Sequence, residues 1–176
     1  MMQMLVRQGI PAENILNGVG ETSAYLGVQL KKTPESAAEF AAKMQYAIGT
    51  ASKDMMGLFD TIQRAFHLGV DDNNMLSFFA KASAIIKMID KDGLNAARSL
   101  APISVMMDQM GMEGEAAGNA FRKVIQAGLD VKKVQGMNHK LQKFKIKLDF
   151  TNKEGAFGGL DNLFTQLDKL KKLTDV

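Results

Sequence analysis

Few side chains in this sequence are placed to carry out covalent or metal chemistry. The chain has two histidines, His67 and His139, and no cysteine. Neither histidine belongs to an HxxxH or HExxH pattern, and no Ser or Thr is paired with a nearby histidine. The segment Asp149–Gly155 has Lys153 at its fifth position, where a calcium loop needs an oxygen ligand. Gly18–Gly20 lacks the third glycine of a dinucleotide-binding fingerprint. We therefore expect no enzyme activity, no metal and no cofactor.

Positive charge is concentrated in one tract. The 176-residue chain has a net charge of +3, with 46% apolar and 23% charged residues. Between Val131 and Leu148 there are six lysines and no acidic residue, so the remainder of the chain has a net charge of −3. The lysines are Lys132, Lys133, Lys140, Lys143, Lys145 and Lys147. Such a tract can bind phosphates or an acidic protein surface, and a solvated helix face is the simpler alternative. Arginine is absent from it, which argues against bidentate recognition.

Methionine is unusually frequent, at thirteen residues. Met106, Met107, Met110 and Met112 cluster near Pro102. Flexible thioethers can line an adaptable groove for a partner, or fill gaps in a core that has few aromatic residues. We favour the core interpretation.

Apolar residues recur every three or four positions, and glycine and proline separate these stretches at intervals typical of helices. Thr33 followed by Pro34 is a helix-start signal, and Gly49 is placed to end that helix. Gly18 weakens a second helix, and Pro102 predicts a kink or break in a later one. The pattern predicts an all-α fold of about eight helices.

One short segment has a different period. Lys145–Phe150 alternates charged and apolar residues, which predicts a strand, and Ala156–Phe157 is placed to return as its partner. We therefore expect a compact multi-helix bundle of helical hairpins with one small β-hairpin near the C-terminal end. Residues 1–130 are expected to form a helical core module. Residues 131–176 are expected to form a basic helix, the hairpin and a terminal helix, all packed on that module as one domain.

The last helix is expected over Leu160–Leu173. Its apolar stripe of Leu167, Leu170 and Leu173 is still running near Val176, which predicts an internal fragment of a longer protein. No apolar run approaches the roughly 18 residues of a membrane helix, so we expect no membrane segment.

Three segments together resemble the core region of phage tail tape measure proteins. In that family a helix is followed by a pattern of small residues that leads into the next helix. The matching positions here are Gly111, Gly114, Ala117, Gly118 and Ala120. The segment from Asp149 to the turn glycine Gly155, followed by Phe157 and a helix, is the second match, and Gly9–Leu16 is the third. The similarity spans nearly the whole chain.

The resemblance implies a structural protein of the virion tail, present in the bacterial host cytoplasm before assembly, that helps set tail length. It implies tail tube protein, tail assembly chaperones, baseplate proteins and further copies of the chain as partners. Contact between the lysine tract and DNA is a further possibility that the residues leave open. Two alternatives also remain at this point: a helical adaptor or scaffolding domain that binds a partner helix, and a non-specific DNA-contacting helical domain.

Overall fold

The chain is helical in the computed structural model, which describes residues 1–173. Val176, where the apolar stripe was expected to continue, lies outside the described residues. The α-helices are α1 (Met2–Arg7), α2 (Ala12–Asn14), α3 (Gly20–Gln29), α4 (Pro34–Ile48), α5 (Met55–His67), α6 (Asp72–Ile89), α7 (Gly93–Gln109), α8 (Gly114–Leu129), α9 (Val131–Leu141) and α10 (Leu160–Asp168). Short 3-10 turns cover Ser52–Asp54, Gln142–Phe144 and Lys169–Leu173.

Backbone contacts divide the chain into two compact units, residues 1–119 and residues 120–176, and the boundary falls within α8. The division at residue 130 that the sequence suggests stays a prediction.

Local capping signals set the boundaries of α4 in the first unit. The Thr33 hydroxyl accepts a hydrogen bond from the backbone N–H of Ser36 at 3.2 Å, and Pro34 occupies the first helical position. Gly49 ends the helix with a φ of 76°, a left-handed conformation that favours glycine. Both signals therefore act as the sequence predicts.

The predicted second helix is interrupted. A π-helical turn, Ile15–Val19, separates α2 from α3, and Gly18 within it has a φ of 122°. The Ser23 hydroxyl donates to the Val19 carbonyl at 2.6 Å, so a side chain bonds to the backbone beside this turn. Gly18 therefore separates two helices instead of weakening one.

The core of the first unit lies between α3 and α7. Helix α4 packs against α3 and α6, and α5 packs against α7. Phe78 and Phe79 of α6 are each 1% exposed, and their ring centroids are 5.4 Å apart in an edge-to-face arrangement. The other large, fully buried side chains of this unit are Leu5, Leu26, Met44, Met55, Leu58, Ile62, Met75, Ile85, Ile86 and Leu100. Burial of each stabilises the unit by about 1.5–3 kcal/mol, which fixes the outward faces of α5, α6 and α7.

Pro102 does not break its helix. α7 continues from Gly93 to Gln109, with Pro102 on its exposed side. Proline has no N–H, so the carbonyl of Arg98 receives no hydrogen bond from this position. Because that side of the helix faces solvent, the missing bond is tolerated. The helix is not broken near Ala101, and the kink that the sequence predicts as the other outcome stays a prediction.

The second unit contains an extended segment where a β-hairpin was predicted. Ile146, Leu148 and Phe150 are buried, at 6%, 2% and 5% exposure, as the alternation requires. Its central backbone groups bond to side chains of helices. The Asn138 side chain of α9 bonds to both the N–H and the carbonyl of Leu148. From α10, Gln166 accepts from the N–H of Asp149 and Asn162 donates to its carbonyl.

The predicted β-hairpin is therefore wrong. Within residues 1–173 there is no strand, and the turn after the extended segment contributes a single isolated antiparallel bridge between Thr151 and Phe157. The alternation indicates that one face of the segment is buried. It does not indicate which groups form hydrogen bonds with the backbone N–H and C=O groups of the segment. Here side-chain amides do so in place of a second strand.

Candidate interaction surfaces

All six lysines of the tract lie in the second unit, and all are exposed. Lys132, Lys133 and Lys140 are on α9, Lys143 is in the 3-10 turn, Lys145 follows that turn, and Lys147 lies in the extended segment. The Lys133 ammonium lies 3.5 Å from the Asp130 carboxylate, and the Lys143 ammonium lies 4.8 Å from the centroid of the Phe144 ring. Exposed pairs of this kind contribute little, so most of this charge faces solvent.

Charge is divided unevenly between the units. Residues 120–176 contain twelve Lys and Arg against six Asp and Glu, a net charge of +6, whereas residues 1–119 have a net charge of −3. Within the second unit, Lys145 and Lys147 line a cavity of about 540 Å³ together with His139. Lys133 and Lys140, seven residues apart, share one face of α9. The structure thus groups two of the lysines at the cavity and leaves four along α9 and its 3-10 turn.

Asp130 begins the helix that carries the first lysines. Its carboxylate accepts a hydrogen bond from the backbone N–H of Lys133 at 3.1 Å. That bond, with the Lys133 ammonium as a smaller cause, holds the pKa of Asp130 below its ordinary value. The carboxylate therefore stays ionised near neutral pH and caps α9 at the positive end of its dipole.

The small residues between α7 and α8 form a tight joint with α6. Gly111 has a φ of 78°, and its N–H donates to the Asp108 carbonyl at 2.8 Å, which ends α7. A Cβ at Gly114 would lie 1.9 Å from the Asn74 carbonyl oxygen, and one at Gly118 would lie 2.5 Å from the Phe78 carbonyl oxygen. Since Gly114 and Gly118 are one turn apart, glycine lets the α8 backbone approach α6 along a full turn.

Two other family-motif positions lie on the same helix. Ala117 is buried at 2% exposure, and Ala120 is half-buried.

Asn74 of α6 holds this joint together. Its Oδ1 accepts a hydrogen bond from the Gly114 N–H at 3.2 Å, and its Nδ2 donates to an Asp108 carboxylate oxygen at 2.9 Å. One side chain thus bonds to the end of α7 and the start of α8. An ion pair between Lys81 and Glu115, at 2.7 Å, adds a second link between α6 and α8. Sequence reasoning missed Asn74, although its place near the start of the apolar α6 is a usable signal.

The second family-like segment is a turn fixed by Asp149 and Gly155. The Asp149 carboxylate accepts from the Thr151 hydroxyl at 2.8 Å and from the Thr151 N–H at 3.0 Å. The bond from the Thr151 hydroxyl is the largest cause that holds the pKa of Asp149 below its ordinary value. Gly155 has a φ of 80°, so it supplies the left-handed residue that the turn needs.

The methionines divide between the core and the surface. Met44, Met55 and Met75 are buried, whereas Met106 is 54% exposed and Met110 is 76% exposed. The core interpretation is therefore wrong for the last two. Met106 lies on the outer side of α7, one turn after Pro102, and Met110 directly follows the last residue of that helix.

Within residues 1–173, no group of three or more His, Cys, Asp or Glu side chains is arranged to hold a metal ion. His67 lies beside Gln63 on α5, with 3.5 Å between the two Nε2 atoms, and His139 is exposed on α9. Over the same residues, no helix has the length and apolarity required to cross a bilayer.

These observations define a helical-bundle structural protein. Glycines allow close contacts between its helices, and its second unit carries a lysine-rich surface. The chain belongs to the phage-related minor tail protein family, whose model matches residues 1–176. It is therefore a structural protein of the phage tail, which confirms that part of the sequence-based prediction. No curated protein and no solved structure matches the chain.

Proposed function

We propose that this chain is a module of a tail tape measure protein, which helps set tail length and organise assembly of the tail tube. The observation that carries the proposal is the family match over residues 1–176, taken with the motif that makes the α7–α8 joint. In tape measure proteins, to which the sequence is similar, the same order of small residues follows a helix. The tight joint gives those residues a physical role, because larger ones would force α6 and α8 apart.

The module itself is not the extended part of a ruler. A single helix of this many residues would reach roughly 260 Å at about 1.5 Å per residue, but left-handed glycines end several of the helices. Gly49, Gly69 and Gly111 all have positive φ. We assign this module to assembly contacts and the length measurement to other parts of the protein.

The partners we propose are the tail tube protein, tail assembly chaperones, baseplate proteins and further copies of the chain. The six exposed lysines of the tract between Val131 and Leu148 form a lysine surface on the second unit. This surface is the candidate contact for an acidic tube lumen or for DNA that passes through it. Its exposed ammonium groups and the net charge of +6 of residues 120–176 support an acidic partner. Such a contact would pair the lysine ammonium groups with phosphates or carboxylates of the partner and would involve no covalent chemistry.

The test is an in-frame deletion of residues 1–173 from the gene in a phage that carries it, with electron microscopy of the particles. A tape measure role predicts either no tails or tails with an altered length distribution, because the length-measuring part of the protein then lacks the module that makes its assembly contacts. Expression of the intact gene from a plasmid should restore the normal length. Tails of normal length that no longer attach to cells would instead place the protein at the tail tip.

A further inference from the structure

Helices α5 and α7 of the first unit run parallel and leave a groove between them. At their starts, a Cβ on Gly57 would lie 2.8 Å from Leu94 Cδ2. At their ends, Gln109 Nε2 donates to the Leu68 carbonyl at 3.5 Å. The groove between these two meeting points has a volume of about 490 Å³.

The groove has an apolar floor, and the residues along each of its walls are spaced one helical turn apart. The floor includes Ala65, Ala101 and Val105, of which the least buried is 7% exposed. Leu68 stands on the α5 wall at 61% exposure. The α7 wall includes Pro102 and continues past the groove to Met106, so its apolar surface faces solvent. Parallel walls with this spacing fit the apolar face of a helix.

One cation of the groove has no partner among the residues that the structure describes. Arg64 is paired with Asp60, with Arg64 Nε 2.9 Å from the Asp60 carboxylate. Arg98 lies one turn before Pro102 on the α7 wall and is exposed. It makes no hydrogen bond or ion pair with any residue between 1 and 173. A helix that fills the groove should therefore present a carboxylate beside its apolar residues.

Helix α10 in the second unit presents that combination. Its inward face carries Leu163 and Gln166, which are buried. Its other face leaves Phe164 at 46% exposure and Leu167 at 36%. Asp161, one turn before Phe164, is exposed and has no hydrogen bond or ion pair among the described residues. An exposed aromatic residue beside an unpaired carboxylate complements the apolar groove and the unpaired guanidinium.

We propose that the α5–α7 groove of one copy binds helix α10 of a second copy. The lengths agree: α10 has nine residues, and the α7 wall from Arg98 to Met106 also spans nine, about 13 Å in each case. In this register Asp161 faces Arg98, and Phe164 and Leu167 contact Pro102 and Met106. After the first contact, one copy still has a free α10 and the other still has a free groove, so the association is head-to-tail and can continue. The proposal does not depend on the tape measure role.

The experiment is analytical ultracentrifugation of the purified chain over a range of concentrations. A nine-residue helix buries less than the ~1,200 Å² typical of stable complexes, so association should appear only at high concentration. Phe164→Ala and Met106→Ala should each weaken it about tenfold, because each removes an apolar contact of the interface. Both side chains are about half exposed, so the fold should persist, and circular dichroism checks this.

A charge exchange tests the register. Arg98→Glu and Asp161→Lys should each weaken association, and an equimolar mixture of the two variants should associate more strongly than either alone, since the exchanged charges can then pair. Val28→Ala, a change at an apolar residue that is 78% exposed on α3, is the matched control and should have no effect. A chain that stays monomeric at all concentrations overturns the proposal. Equal weakening by Val28→Ala, or no rescue in the mixture, also overturns it.

Discussion

The side chain of Asn138 binds both backbone polar groups of Leu148. Asn138 Oδ1 accepts from the Leu148 N–H at 2.7 Å, and Asn138 Nδ2 donates to the Leu148 carbonyl at 2.9 Å. An amide that pairs with one residue in this way replaces the two bonds that a neighbouring strand would make. It allows Leu148 to stay 2% exposed without a sheet. The same residue also fixes the extended segment that carries Lys147.

Asn138→Ala should therefore destabilise the second unit. It removes two hydrogen bonds and leaves a partly buried N–H and carbonyl without partners, which costs about 2 kcal/mol or more. Hydrogen exchange should show the Leu148 amide losing its protection, and urea denaturation should show the lower stability. Gln135→Ala, at an exposed position on the same helix, is the control and should leave that amide protected. Unchanged exchange at Leu148 in the Asn138 variant would contradict the structure.

Asn138 also shows how far the sequence predicts this region. Val134, Met137 and Leu141 mark the apolar side of α9, and Asn138 falls among them. An amide on an apolar helix face predicts a buried backbone partner, but spacing does not say which segment supplies it. The alternation of 145–150 predicts correctly which side chains are buried. The partner of the backbone depends on tertiary packing, which the alternation does not encode.

Gly118 in the α6–α8 joint and Gly136 on α9 should respond in opposite ways to replacement by alanine. Gly118→Ala places a Cβ against the Phe78 backbone, so the helices must separate, at a cost of about 1–3 kcal/mol. Gly136→Ala on α9 is the matched control, because no atom lies within 4 Å of its added Cβ. It should stabilise the chain by about 0.5–1 kcal/mol through helix propensity. Thermal unfolding of the two variants should shift in opposite directions, and a shared direction would argue against the close approach.

The positions that match the family pattern of small residues are easier to predict from the sequence than the groove between α5 and α7. Gly111 stands at the end of an apolar helical stretch, where a left-handed cap is expected, and its φ of 78° agrees. The exposure of Met106 was not predictable in the same way, because a thioether fits a core as well as a surface. The packing of α7 against α4, α5 and α6 decides which side of α7 faces solvent.

Asp149 should titrate at an unusually low pH. The Thr151 hydroxyl and N–H hold the pKa of Asp149 below the ordinary value of about 3.9. A carboxyl whose pKa is lower in the folded state stabilises the fold above its unfolded pKa, and this contribution is lost as the pH falls through the folded pKa. Carbon NMR of the carboxyl should give the low midpoint, and Thr151→Val should raise it. Thr165→Val, at an exposed position on α10, should leave it unchanged. A midpoint in Thr151→Val equal to that of the unmodified chain would rule out the hydroxyl as the cause.

Reversal of the lysine surface should impair assembly without unfolding the chain. Lys132, Lys133 and Lys140 are exposed on α9, so their replacement by Glu should leave the circular dichroism spectrum and thermal unfolding nearly unchanged. If these lysines contact an acidic tube lumen or DNA, a phage with the triple variant should form fewer tails or deliver less DNA.

The same change in charge made elsewhere separates a local contact from a general effect of net charge. Lys53, Lys87 and Lys91 are exposed in the first unit, and replacing all three by Glu alters the total charge equally. That variant should assemble and infect normally. Counts of tails by electron microscopy and of ejected DNA provide the two measurements. Normal tails and normal DNA delivery in the α9 variant would exclude the lysine surface as a contact, and equal defects in both variants would assign the effect to net charge.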